Sequence, residues 1–256
     1  MLFKLRLLAA GAALAGLLCA ACSRRTEAEK LSIAAAADLQ FALDDASREF
    51  RRSHPHTDLQ IAYGSSGNFY AQIRNQAPFD LFLSADVQYP RLLAQEGVAK
   101  SDAVFLYAVG RLAVWVPSSS TLDPATALRD PSVQHVAIAN PQHAPYGRAA
   151  EAALRKMGIY DSVEKKLVFG ENISQTLQFV QSGAADVGLV AVSLAIAPPV
   201  RGQGRYWEVP LDMYPKLDQG GVILKNSAAA REFRAWLLAP AGRRLLKRYG
   251  FYLPGE

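Results

Sequence analysis

Short apolar runs alternate along this chain with stretches whose apolar residues recur every three or four positions. Residues 31–36 read as a buried strand, and Leu39, Leu43, Ala46 and Phe50 then mark one face of a helix over 38–52. Residues 59–63 repeat the strand signal, 69–75 the helix signal, and Ala77-Pro78 breaks it. A third strand over 79–84 leads to a helix over 89–96. Three strand–helix alternations are the pattern of a parallel sheet flanked by helices. A second alternating block covers roughly 110–210. It has strands at 111–116, 136–139, 167–169 and 187–190, and helices at 149–157 and 174–182. Residues 198–220, rich in Pro, Gly and Gln, read as a return path; 220–224 is strand-like, and 228–248 holds one or two helices interrupted at Pro240.

The start of the chain does not belong to this pattern. Lys4 and Arg6 precede an apolar run over 7–18 that closes in Cys19-Ala-Ala-Cys22-Ser23, so residues 1–22 read as a secretory signal. Two processing routes stay open: cleavage after Ala21, or lipidation of Cys22, since the segment resembles a bacterial lipobox. No cysteine follows Cys22, so the mature chain is expected to lack a disulfide and a thiolate metal site. The remaining length of about 230 residues suits one large domain or two lobes. The net charge is +5, of which Lys4 and Arg6 supply two. The weak basic balance left over suits small anions and gives no sign of nucleic acid binding. The densest basic cluster, Arg243, Arg244, Lys247 and Arg248, surrounds Leu245 and Leu246 and reads as a solvated helix face.

Chemistry is concentrated where strands run into helices. Gly64-Ser65-Ser66-Gly67 puts small residues and two hydroxyls at such a junction, where free N–H groups and the positive end of the helix dipole favour an anion. Ala37 and Asp38 stand at the equivalent point after the first strand, with Asp38 placed to cap the helix. Tyr146, within Asn140–Arg148, offers a phenolic donor without adding charge. Glu171-Asn172-Ile173-Ser174 is a fourth junction, with Asn172 or Ser174 as cap. Ser66 as a hydrolase nucleophile is the rival reading. The Gly-x-Ser-x-Gly elbow needs glycine at 68, where Asn68 stands. His54-Pro55-His56 and the scattered Asp80, Asp86 and Asp186 do not form a metal-ligand pattern. Neither a P-loop nor a dinucleotide fingerprint is present.

Taken in order, several segments resemble the periplasmic molybdate-binding proteins of ABC importers, within the class II periplasmic substrate-binding family. They are Ala34–Leu39, Gly64–Gly67, Ala77–Asp86, Asn140–Gly147, Ser182–Gly188 and Arg248–Phe251. The resemblance implies a two-lobe α/β fold, each lobe a mostly parallel sheet flanked by helices. The chain would cross between lobes twice, with lobe I from 30–109 plus 214–256 and lobe II from 110–213. It further implies a monomeric, non-enzymatic receptor in the periplasm that captures molybdate or tungstate as cargo, uses no cofactor and delivers to the transmembrane subunits of an ABC permease. Contact with the membrane would run only through that permease or a lipid on Cys22. Carried over by position, the oxyanion-binding residues are Ala37, Asp38, Ser66, Tyr146 and Ile173, with Ser66, Tyr146 and the Ile173 amide as direct contacts. Some relatives have a tyrosine where Ala191 stands; here Tyr146 would supply the hydroxyl.

Asp38 departs from the family pattern, in which the position is usually Ser, Thr or Asn. A carboxylate about 4 Å from an anion costs several kcal/mol at an effective dielectric near 20. Turning the carboxylate back onto its own helix N–H groups would remove that cost. Alternatively Asp38 would accept a proton from a protonated oxyanion, which keeps phosphate or arsenate in view as ligands.

Overall fold

The computed structural model describes residues 28–256, so the signal segment and Cys22 lie outside the described residues. The chain runs β1 (Glu29–Ala36), a 3-10 turn (Ala37–Leu39), α1 (Gln40–Ser53), β2 (Thr57–Gly64), α2 (Ser66–Arg74), β3 (Leu81–Ser84), α3 (Gln88–Gln95) and β4 (Val104–Gly110). It continues with β5 (Leu112–Pro117), β6 (Val136–Ala139), α4 (Pro145–Lys156), α5 (Tyr160–Val163), β7 (Leu167–Gly170), α6 (Ile173–Gln181), β8 (Val187–Ala191), α7 (Val192–Ala195) and β9 (Gly204–Glu208). The last elements are β10 (Leu217–Ile223), α8 (Ala228–Leu238) and α9 (Pro240–Arg248).

Two five-stranded sheets result, ordered β2-β1-β3-β10-β4 and β7-β6-β8-β5-β9. In each, four strands run one way and one runs against them. The opposed strand is β10 in the first sheet and β5 in the second. Each is the strand that enters from the other sheet, after β9 and β4 respectively. The passage from β4 to β5 takes a single residue, Arg111, whose guanidinium is fixed by the Gly250 carbonyl at 2.6 Å and the Glu208 carboxylate at 2.7 Å.

Period-two alternation explains why the first sheet is covered on both faces. Leu31, Ile33, Ala35, Leu81 and Leu83 join a core with Phe50 of α1 and Phe233 and Leu237 of α8. Their neighbours Ala34 and Phe82 point the other way, to Phe69, Ile73 and Leu93 of α2 and α3. Helix α1 buries Ala42, Leu43, Ala46 and Phe50, and places Arg51 and Arg52 in its last turn, where cations suit the helix dipole. The second sheet packs its own core from Trp115, Ile138, Leu154, Leu177 and Leu189. Ala36 and Ala37 at the end of β1 and Ala85 just after β3 join that core, so the two lobes meet through small apolar residues.

Two strands stand where the sequence pattern gave none. The apolar run over 104–116 is two strands in two different sheets, divided at Gly110-Arg111, and the return path contains β9.

Candidate functional site

The carboxyl ends of β1, β2, β3, β6 and β7 converge on the line where the lobes touch, the position at which open α/β sheets hold ligands. Ala36, Ala37, Asp38, Gly64, Ser65, Ser66, Ala85, Ala144, Pro145, Tyr146 and Ile173 line one cavity there, with a free volume of about 10 Å³. In this closed arrangement that is room for about one water, far below the space a drug-sized ligand takes. All five residues singled out from the sequence, Ala37, Asp38, Ser66, Tyr146 and Ile173, lie in this lining, which contains no lysine, arginine or histidine.

Local capping decides which amides are left to face the cavity. At the start of α2 the Ser65 hydroxyl accepts from the Asn68 amide at 3.4 Å, and the Gly67 amide donates to the His143 carbonyl at 2.9 Å. Among the described hydrogen bonds none takes the Ser66 amide. Helix α6 behaves alike: the Asn172 side chain accepts from the Ser174 and Gln175 amides, both at 3.0 Å, and leaves the Ile173 amide over. Pro145 opens α4 without an N–H, which brings Tyr146 into the first turn. The Ser66 hydroxyl accepts from the Ala85 amide at 3.0 Å, which ties α2 to the end of β3. Residual helix-terminal N–H groups gathered in this way are an anion-binding arrangement.

Asp38 does not cap its helix, contrary to the expectation from sequence. The 3-10 turn starts at Ala37 and α1 only at Gln40, so Asp38 stands inside the turn, and neither helix start has a side-chain cap. Its carboxylate instead meets the other lobe and the returning strand. The Tyr146 hydroxyl donates to Oδ2 at 3.0 Å, and the Gln219 side-chain amide donates to the same oxygen. Oδ1 is buried without a hydrogen-bond partner, as is Oε1 of Gln219. The Asp38 carbonyl accepts from the Ser193 hydroxyl at 2.8 Å. Burial raises the Asp38 pKa from 3.8 to about 6, against the opposing pull of Gln219, Tyr146 and the Asp38 and Leu39 amides. Burial, and then the Asp38 charge, hold the Tyr146 and Tyr107 phenols well above their ordinary value.

The lobes are closed on each other by polar contacts around this cavity. His143 shares a hydrogen bond with the Ser65 hydroxyl at 3.0 Å, Asn68 donates to Glu171, and the Ser174 hydroxyl donates to Gln40 at 2.6 Å. Arg148 and Asp86 pair at 2.7 Å on the flank. Gly67 sits so close to the opposite lobe that an added Cβ would lie 2.6 Å from the His143 carbonyl oxygen. His143 therefore serves Ser65, and no described hydrogen bond links an imidazole to Ser66. Among the described residues no group of three His, Cys, Asp or Glu side chains is placed to hold a metal ion.

Gln219, Ser193 and His143 are the participants that the sequence did not reveal as such. A polar residue inside the buried strand β10 was the available signal for Gln219.

A family model described as bacterial extracellular solute-binding protein matches residues 31–252. The molybdate-binding protein ModA of Rhodobacter capsulatus is 40% identical over 79% of this chain and 80% of its own length. ModA of Azotobacter vinelandii is 37% identical over 93% of this chain and 94% of its own. The solved periplasmic molybdate-binding protein of Azotobacter vinelandii superposes with a TM-score of 0.82 at 32% identity, covering 88% of this chain and 99% of that one. The chain therefore has the two-lobe periplasmic-binding-protein fold and belongs to the bacterial extracellular solute-binding proteins.

Proposed function

We propose that this protein captures molybdate, or its congener tungstate, between its lobes and hands it to an ABC permease on the outer face of the cytoplasmic membrane. The observation that carries the reading is the convergence of Ala37, Asp38, Ser66, Tyr146 and Ile173 on one small cavity lined without cations. A tetrahedral oxyanion there exchanges its hydration shell for oriented N–H and O–H dipoles. Ser66 and Ile173 contribute backbone amides, Ser66 its hydroxyl proton, and the turn at Ala37 its N–H groups, while Tyr146, whose single O–H donates to Asp38, lines the wall and orients that carboxylate. Neutral donors suit a receptor that must also release its cargo, because no salt bridge has to be broken. Selection among tetrahedral dianions then follows from cavity size, molybdate and tungstate being larger than sulfate. The ion favours the closed state by the contacts it makes with both lobes at once.

The protein acts as a monomeric receptor rather than an enzyme. Nucleophilic use of Ser66 requires a base beside it, and its hydroxyl is engaged with the Ala85 amide. Thermal-shift measurements with molybdate, tungstate, sulfate, phosphate and chromate test the assignment. Molybdate and tungstate at a hundred times their dissociation constants are expected to stabilise the fold by about 2.7 kcal/mol. Stabilisation by phosphate alone would reassign the cargo.

A further inference from the structure

We propose that Asp38 is a specificity-determining residue that shares one proton with the bound oxyanion, so that each anion enters the cavity accompanied by a proton from solvent. The inference rests on the oxyanion reading of the cavity and adds to it which anions the cavity accepts.

The geometry leaves Asp38 one free valence. Its Oδ2 is held by Tyr146 and Gln219, while Oδ1, on a side chain that lines the cavity and is 1% exposed, has no hydrogen-bond partner. Oδ1 can meet an oxyanion oxygen in two ways. Bare carboxylate against bare dianion is repulsive, and no cation is near enough to offset it: the groups acting on Asp38 are Gln219, Tyr146 and nearby amides. With one proton between them, the repulsive pair becomes a charge-assisted O–H···O bond. The balance is simple. One proton is taken from solvent on binding and returned on release, and no other bond is made or broken.

The groups facing Asp38 do not compete for that proton. Gln219 from β10 and Ser193 from α7 are uncharged. Tyr107 from β4 and Tyr146 from α4 are phenols whose pKa burial has raised, so both stay protonated at neutral pH. The Tyr214 hydroxyl, before β10, accepts from the Leu112 amide at 3.0 Å, and burial raises its pKa likewise. Asp38, held by burial at a pKa of about 6, is the side chain here poised to take up a proton near neutrality. Oxyanion basicity then becomes a selection criterion. Sulfate, the anion of a strong acid, holds a shared proton poorly, whereas the oxygens of molybdate are more basic.

Calorimetric titration of the purified protein with sodium molybdate at pH 7.5, in buffers of different ionisation heat, counts the protons directly. About one proton per anion is expected, with affinity falling about tenfold per pH unit between pH 7 and 9. Asp38→Asn, whose amide donates permanently from the Oδ1 position, is expected to bind with no proton uptake and a flat profile. Its preference for molybdate over sulfate should shrink by about tenfold, the proton-sharing advantage being lost. Wild-type binding without proton uptake, or an unchanged preference in the variant, overturns the proposal while leaving the oxyanion site standing. A pH slope that persists in Asp38→Asn overturns it too, because the proton then belongs to a group other than Asp38. If neither protein binds any oxyanion, the site reading falls and this inference with it.

Discussion

Asp38 is the residue at which stability and ligand chemistry oppose each other. In the unfolded chain its carboxyl titrates near 3.8, in the folded protein near 6, so the folded state binds the extra proton between those values. Stability contributed by the neutral form is therefore present below about pH 4 and lost as the pH rises through about 6. The ionised group then leaves a standing penalty of about 3 kcal/mol at neutral pH. Asp38→Asn keeps an acceptor for Tyr146 and Gln219 but carries no charge. In the ligand-free protein its stability relative to wild type should rise by about 3 kcal/mol between pH 4 and 8. Denaturant titrations at the two pH values measure this difference, and a constant difference would mean that Asp38 does not titrate as its burial implies. The four junctions are legible because their glycine, serine and cap signals are local, and the five residues that the family resemblance singles out within them all line the cavity. Gln219 and Ser193 escape such reading because they reach Asp38 from 181 and 155 residues away in the chain. The helix-cap role expected for Asp38 fails for a local reason: the 3-10 turn delays α1 by two residues.

Among the elements, α6 shows how a cap can serve a ligand. Asn172 consumes the amides of Ser174 and Gln175 and thereby fixes the first turn with the Ile173 N–H uncommitted. Asn172→Ala removes the acceptor from both amides and is expected to lower stability by about 1 kcal/mol. It should also weaken molybdate binding several-fold, because the freed first turn no longer holds Ile173 in place. Asn172→Ser, which can still cap, should recover most of both losses in the same melting and calorimetry experiments. The elements themselves were uneven in legibility. Buried strands such as β6 are short apolar runs ending at turn residues, and Val136–Ala139 is the span that the sequence pattern marks. Strand β9 hides because it is an edge, with Arg205, Tyr206 and Glu208 exposed, so its composition resembles a loop. Strand β4 hides for the opposite reason. It and β5 form one apolar stretch in which periodicity cannot mark that the chain changes sheets, and only Gly110-Arg111 betrays the division. Gly110 is needed there, since an added Cβ would collide with the Tyr146 hydroxyl and come within 2.8 Å of the Gln219 amide.

For the whole molecule, the test of the binding cycle is whether the lobes must approach as closely as they do here. Gly67 lies in the first turn of α2, where its amide donates to the His143 carbonyl across the cleft at 2.9 Å. An alanine Cβ at this position would stand 2.6 Å from that oxygen and 2.9 Å from the His143 Cα, both backbone atoms that no side-chain rotation can move away. The Tyr89 hydroxyl, also 2.9 Å from that point, closes the remaining side. Within its own lobe the new methyl meets only the Tyr89 hydroxyl, the tip of a side chain that can swing aside, and a helix position gains about 0.5–1 kcal/mol when glycine is replaced by alanine. Gly67→Ala thus separates closure from folding. The ligand-free variant is expected to melt at or slightly above the wild-type temperature, provided the open state carries the fold. Molybdate affinity should fall at least about tenfold, the equivalent of roughly 1.4 kcal/mol, as the contacts made by the second lobe are lost. Small-angle scattering supplies the independent readout: molybdate should compact the wild-type protein and leave the variant's radius of gyration unchanged. Equal compaction with equal affinity would mean that the lobes close by a path that does not bring α2 against His143, and the cavity would then need a different source for its second half.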